Sequence, residues 1–373
     1  MAPPPEPRQG TWLHVKGRPL PFSMWPVGRG IRRYGLSDYL FAKSPWAVVQ
    51  GAIEARTPRA RLPEALAFLQ QSRGFFDAAH DRTVAATPLI LYYSFLNLAK
   101  ALVLASGHTG SLDRAMHGLR DDPGPPGNEI TGASVIVKSS GSDPSIFPLY
   151  ATALRLTPPS NNSTYSVTEL MAQVVVGHRL WREVGNKERF VALGEIRFYH
   201  DPPTGAGNVW LRLYLERGDL TRFGITQVRL RTEGELTGAF DWVRSDDDDV
   251  LCLEQATPVS YTHRASDVVK DVVGAVRPLM WRSATSTPPY RHYYLHLSPP
   301  ANRAERLSQL LSLYMLFFYF GSVTRYRPHI FDQILSGNYG PFVREFIASQ
   351  PDQLLYLLAT EICEREVAKP ALI

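Results

Sequence analysis

The sequence predicts an α+β fold in which helices from both ends of the chain pack together and a β-rich region is inserted between them. Three observations predict it. Segments 87–106 and 305–323 are apolar almost all round, so neither can stay exposed. Between them lie short runs of strand character, of which "VWLRLYLE" alternates most closely. The order along the chain is helices, then strands, then helices, and the simplest burial of the two apolar segments is against each other.

Residues 1–30 hold many of the 30 prolines, which predicts an irregular arm anchored by Trp12, Phe22 and Trp25. The first strong helix is "LPEALAFLQQSRGFFDAAHDR", where Leu62, Leu66, Leu69, Phe76 and Ala79 recur at helical spacing and Pro63 suits an early helical position. The second, "TPLILYYSFLNLAKALVLASG", has Thr87 as N-cap, Pro88 at its first position and Gly107 at its stop. A turn-rich loop, "RDDPGPPGNEITG", opens the β-rich region. "SVIVK", "GEIRFYHD", "VWLRLYLE", "QVRLR" and "DVLCLEQ" read as strands there, interrupted by one helix, "VTELMAQVVVGHRLWREV". In the third part, Ser298 followed by Pro299 predicts a helix start. Its apolar helix stops near Gly321, and "PHIFDQIL", "PFVREFIAS" and "DQLLYLLATEICEREV" continue a helical tail. The expected division is a basic arm and segment (1–60), a first helical part (61–120), the β-rich insert with its helix (121–300) and a second helical part (301–373).

Composition bounds the function. Of 373 residues, 44% are hydrophobic and 20% charged, enough for a sizeable core. The two cysteines, Cys252 and Cys363, are far apart in apolar surroundings, which excludes a disulfide scaffold or a zinc site and predicts a cytoplasmic home. "MAPPPEPRQG" lacks the apolar core of a signal peptide. Residues 307–324 carry no charge, but Ser308, Gln309, Ser312, Ser322 and Thr324 interrupt them. A bilayer span needs roughly 20 predominantly apolar residues, so no membrane partner is expected. The net charge is +5, and its excess lies in residues 1–60, with nine Lys/Arg against three Asp/Glu, around "GRGIRRYG". Such a patch attracts phosphates, including those of RNA or DNA.

The candidate site begins at "FYFGSVTRYRPHIF", where Arg325, Tyr326, Arg327 and His329 cluster at the exit of the apolar helix. Two guanidiniums can fork a phosphate and a tyrosine can stack on a base. The same cations would also suit a helix C-terminus, or pair with Asp332 or Glu345. Tyr93, Asn97 and Lys100 share one face of the earlier helix, which either lines a polar cleft or has Lys100 neutralised by an acid such as Asp77. Tyr92, about 100° round that helix, is expected to pack. His117, just beyond, could be acid, base or phosphate donor, or a structural turn residue. His292 and His296 share a face without a carboxylate or cysteine at ligand spacing, and "SDDDD" lacks the glycine and distal glutamate of an EF-hand, so no metal is expected. No Walker A loop, Rossmann fingerprint, "HExxH" or "GxSxG" occurs, and no cofactor is expected.

"FF" at 75–76, "LILYYSFLNLAKALVL", "HGL" at 117–119 and "YFGSVTRYRPHIF" together resemble the YaaC-like family of bacterial proteins, over roughly 60–120 and 300–367. "YYSFLNLAKAL" is also similar to a helix of HEPN domains, helical modules common among prokaryotic RNases and their inactive relatives. That resemblance implies a HEPN-like bundle and a homodimer. Active HEPN nucleases carry Arg followed, after four to six residues, by His. Here three residues separate Arg325 from His329, and Arg73 and His80, with six between them, fall on the early helix. The leading expectation is a protein that binds nucleic acid or another phosphate-bearing ligand through Arg325, Arg327, Lys100 and Tyr326. The alternatives are a metal-independent RNase, with His329 or His117 acting beside Arg325, and a non-enzymatic adaptor in a bacterial defence or stress system.

Overall fold

The computed structural model describes residues 4–26, 39–80, 85–127, 129–139, 141, 143–202 and 205–371. The basic stretch "GRGIRRYG" and the side chain of His80 lie outside the described residues. Among those described, the helices in chain order are α1 (Trp46–Arg56), α2 (Leu62–His80), α3 (Thr87–Ala105), α4 (Ile146–Ala153), α5 (Val167–Ala172), α6 (His178–Glu183), α7 (Arg217–Arg222), α8 (Gln227–Glu233), α9 (Val269–Val276), α10 (Gln309–Tyr326), α11 (Pro328–Ser336) and α12 (Gly340–Cys363). The protein is α+β, and it divides into two compact units, each assembled from separated stretches of chain.

The β-rich unit comprises residues 1–41, 188–303 and 364–373. Its main sheet is antiparallel and runs Thr11–Trp12, Glu195–His200, Gly207–Glu216, Val250–Gln255, Phe240–Val243, with Val259–Tyr261 also pairing to Gly207–Glu216. On Gly207–Glu216, the alternate residues Val209, Leu211, Leu213 and Leu215 face a core that also takes Val269, Val272, Val273 and Val276 of α9. The N-terminal arm is less irregular than its prolines suggest, because Thr11–Trp12 adds a strand to this sheet. "QVRLR" is helical in α8, against the strand expectation. Thr226 caps it by accepting from the Arg229 amide at 3.1 Å, and Arg229 and Glu233 pair at 2.8 Å one turn apart. These local contacts outweigh the short valine–leucine alternation. Glu366 is buried beside Arg291, at 3.0 Å, and also accepts from the Met24 amide at 3.1 Å, which ties the C-terminal residues of this unit to its N-terminal ones.

The helical unit comprises residues 42–187 and 304–363. At its centre α3 packs on α2, α10 and α12. The capping residues explain the ends of the two central helices. Thr87, expected as the N-cap, is instead the first residue of α3, preceded by Ala86 without a side-chain cap. Pro88 follows in the first turn, and at the other end Gly107 adopts φ +94. Ser308 caps α10 and accepts from the Leu311 amide, so the cap lies ten residues beyond Ser298; the intervening Pro300–Glu305 is a 3₁₀ segment. Gln173 fixes this entry by accepting from the Leu307 amide at 2.9 Å and the Ser312 hydroxyl at 3.0 Å. Arg327 leaves helical geometry because Pro328 follows it, and Pro328 then opens α11. The single helix expected over "VTELMAQVVVGHRLWREV" is two, α5 and α6, split at the β-branched run Val174, Val175 and Val176. The last two expected helices are one, α12, with Pro351 inside it. A small antiparallel sheet of Leu119–Asp122, Ser134–Val137 and Thr164–Ser166 completes the unit.

By length and composition α3 alone, among the described residues, could cross a membrane. Yet 72% of that apolar window is buried, as in a core helix. Its contact with α10 depends on Gly321, where an added Cβ would stand 2.8 Å from the Tyr92 Cβ and 3.3 Å from the Pro88 carbonyl oxygen. Gly321→Ala is therefore expected to cost about 1–3 kcal/mol through overpacking. Gly51→Ala, at an exposed position of α1 with nothing within 4 Å, serves as a control and is expected to leave stability unchanged or raised. Urea denaturation midpoints check both, and a Gly321→Ala protein as stable as the parent would refute the close-contact argument.

Candidate functional site

Where α10 emerges from the core, α3, α10 and the Leu119–Asp122 strand enclose a cleft of about 170 Å³ within the helical unit. Residues on one stripe of α10 run from its floor to its rim: Phe318, Gly321 and Ser322 are buried, whereas Arg325 and Tyr326 are exposed. Leu89, Tyr92 and Tyr93 come from the facing stripe of α3, and His117, Leu119, Arg120 and Asp121 from the chain leading into and along the strand.

Backbone geometry holds His117 in place. Its carbonyl accepts from the Phe147 amide at 3.1 Å, in the first turn of α4, and the flanking Met116 amide donates to the Pro144 carbonyl at 2.8 Å. Gly118 turns the chain at φ +78, and any Cβ there would meet the Phe147 nitrogen at 3.1 Å. The His117 Nδ1 lies 2.6 Å from the Tyr92 hydroxyl. Burial pushes the Tyr92 hydroxyl well above its ordinary pKa, reinforced by Tyr314, so it keeps its proton. The same hydroxyl also interacts with the Tyr314 hydroxyl, so it can donate to Nδ1 or accept from it, and either neutral tautomer of the His117 ring satisfies the bond. Burial first, then the Lys100 and Arg325 charges, hold the His117 imidazole below its usual pKa, so it is neutral at pH 7. Tyr92 also packs as expected, with ring centroids 5.4 Å from Phe318 and 6.2 Å from Tyr314.

The cations divide into paired and unpaired. Arg327 forms an ion pair with Asp121, whose other oxygen accepts from the Ser322 hydroxyl at 2.8 Å. Arg327 thus ties the helix exit to the strand through an acid that the sequence reading did not single out. Arg325 donates to the Tyr93 hydroxyl and lies 4.9 Å from the Tyr326 ring, and it has no carboxylate partner among the described residues. Arg120 is exposed and likewise has no ion-pair partner among them. With Asp121 neutralised by Arg327, the cleft carries two uncompensated guanidiniums.

Of the residues singled out from sequence, Arg325, Tyr326, Tyr93 and His117 therefore line one cleft, and Arg327 braces its wall. Lys100 stands apart, with its ammonium 5.0 Å from the Phe68 ring. Burial lowers its pKa, Asp113 opposes that, and its field reaches His117. Asp77 instead pairs with Arg73 at 3.7 Å. Asn97 is buried on α3 and does not line the cleft, and His329 is exposed on the first turn of α11, away from the lining residues. Sequence reasoning missed Arg120, Asp121 and the bond from Tyr92 to His117. The available signal was "HGLRDD", which places a histidine, an arginine and two acids on one short strand entry. No group of His, Cys, Asp and Glu suited to a metal ion occurs among the described residues.

The family model described as YaaC-like Protein matches residues 37–362, and the chain belongs to that family. No curated protein and no solved structure matches it.

The His117 environment makes a direct prediction. Its imidazole should titrate below the usual 6.5 of a free histidine, and the midpoint should rise when Arg325→Met and Lys100→Met remove the two neighbouring charges. Because folding depresses this pKa, the group's contribution to stability is full above pH 6.5 and declines as pH falls through that value. Histidine side-chain NMR across pH 4–8 reads the midpoint, and one at or above 6.5 in the parent protein would contradict the assignment.

Proposed function

We propose that this member of the YaaC-like family binds a phosphate-bearing ligand, nucleic acid foremost, in the cleft between α3 and α10. The observation that carries the reading is the pair of guanidiniums, Arg120 and Arg325, that lack carboxylate partners among the described residues and line one concave surface. Arginine forks match phosphate geometry and hold it by charge-assisted bonds. The other polar groups there are donors or neutralised acids. His117 can donate through Nε2 in one of its two neutral tautomers, Tyr93 has its hydroxyl proton left after accepting from Arg325, and the Asp121 charge is spent on Arg327. Such a surface suits an acceptor-rich anion. Tyr326, 66% exposed at the rim, offers a face for a base to stack on. Lys100 contributes at longer range, through the field it exerts on His117. We further infer a HEPN-like bundle from α2, α3, α10 and α12, supported by their mutual packing around α3, with a homodimer and a cytoplasmic location as its corollaries.

A second reading, metal-independent RNA cleavage, is favoured by the neutral His117 beside Arg325 in the same cleft. An imidazole there could exchange a proton with a ribose or leaving-group oxygen while the guanidiniums hold the phosphate. Cleavage that survives EDTA and disappears in His117→Ala would support it, and inertness of pure protein towards a mixed RNA panel would exclude it.

The binding reading is tested by fluorescence anisotropy with single-stranded RNA and DNA at about 50 mM salt. Arg325→Ala is expected to weaken binding about tenfold and to flatten its salt dependence by roughly one phosphate contact. Unchanged affinity and unchanged salt slope would overturn it.

A further inference from the structure

We propose that the cleft captures a terminal phosphate monoester at the end of a single-stranded nucleic acid, in preference to an internal phosphodiester. This rests on the phosphate-bearing reading above and specifies its substrate. Three observations lead to it.

The first is charge. A phosphate monoester is close to a dianion above its second pKa of about 6, whereas an internal diester carries one negative charge. Two guanidiniums free of carboxylates, Arg120 from the strand and Arg325 from α10, match the dianion, and Asp121 does not oppose it because Arg327 and Ser322 occupy both its oxygens. The second is hydrogen bonding. A monoester terminus offers three acceptor oxygens free of a second ester link. The cleft offers donors from three elements: Arg120 on the strand, Arg325 on α10 and the Tyr93 hydroxyl on α3, with the His117 ring, bonded through Nδ1 to Tyr92, beside them. The third is shape. The floor is buried Tyr92, Leu119, Phe318 and Gly321, and the exposed residues Arg120, Arg325 and Tyr326 stand at the rim. An internal phosphate needs a groove through which the chain enters and leaves, while a cleft of about 170 Å³ floored by these buried residues has room for a single phosphate group at a chain end. Tyr326 at the rim would then take the terminal base, and the rest of the strand would extend into solvent.

The experiment compares one single-stranded oligonucleotide sequence, internally labelled, with a 5′-phosphate, a 3′-phosphate or hydroxyls at both ends, at pH 7.5. The parent protein is expected to bind one phosphorylated end at least about tenfold tighter than the hydroxyl-ended strand, and the arm that shows it identifies the end. Arg120→Ala is expected to erase that preference while changing hydroxyl-ended binding only a few-fold. Arg120 is exposed and has no partner among the described residues, so its loss should leave the fold intact. Equal affinity for all three strands would overturn the proposal. If Arg325→Ala still weakened all three, the phosphate-bearing reading would survive that result. If no strand bound at all, both would fall.

Discussion

The close approach of α3 to α10 at Gly321 is the contact on which the rest of the helical unit depends. With hydrogen in place of a side chain, the backbone of α10 comes against the Cβ of Tyr92 and the start of α3. That approach sets two aromatic-rich helices side by side, with Phe95 and Phe317 rings 4.7 Å apart deeper in the core. It also sets the exits of the two stripes, Tyr92 and Tyr93 on α3 and Ser322 and Arg325 on α10, across a shared opening. Burial of these faces supplies the free energy, since few of their residues could be exposed without cost. The polar groups at the opening are positioned by apolar packing below them.

Electrostatics then sorts those groups. One acid, Asp121, meets the second arginine of "TRYRP" and the Ser322 hydroxyl, which turns the loop after α10 into a brace. The first arginine, four residues C-terminal to Gly321, keeps its charge available. A neutral imidazole beside it follows from burial and from the cationic field, and the hydrogen bond between Tyr92 and Nδ1 orients that ring. Arg120 and Arg325 are both exposed, so solvent screens their like charges, and an anion reaching the cleft would meet no competing carboxylate on either.

Much of this was legible in the sequence because the signals were local. Pro88 and Gly107 bound α3, Pro328 ends α10, and all-round apolarity requires the two helices to be buried. The arginine cluster and His117 stood out for the same reason, as polar groups at the mouths of apolar helices. What escaped depended on contacts across long separations. The partner of Arg327 is 206 positions away, so Asp332 and Glu345 were the nearer guesses. Tyr92 reads as a packing residue from its helical phase, and only the turn at Gly118 brings His117 to its hydroxyl. "QVRLR" misled because three alternating apolar and polar positions are too few to outweigh a threonine cap and an i,i+4 ion pair.

The most direct test of the account is to watch the His117 ring nitrogens by NMR while single-stranded RNA is titrated into the protein. The account predicts that the His117 Nε2 resonance shifts saturably, together with the Arg325 side-chain signals, because phosphate enters between them. Saturable RNA binding that leaves both sets of signals unmoved would place the ligand elsewhere and contradict it.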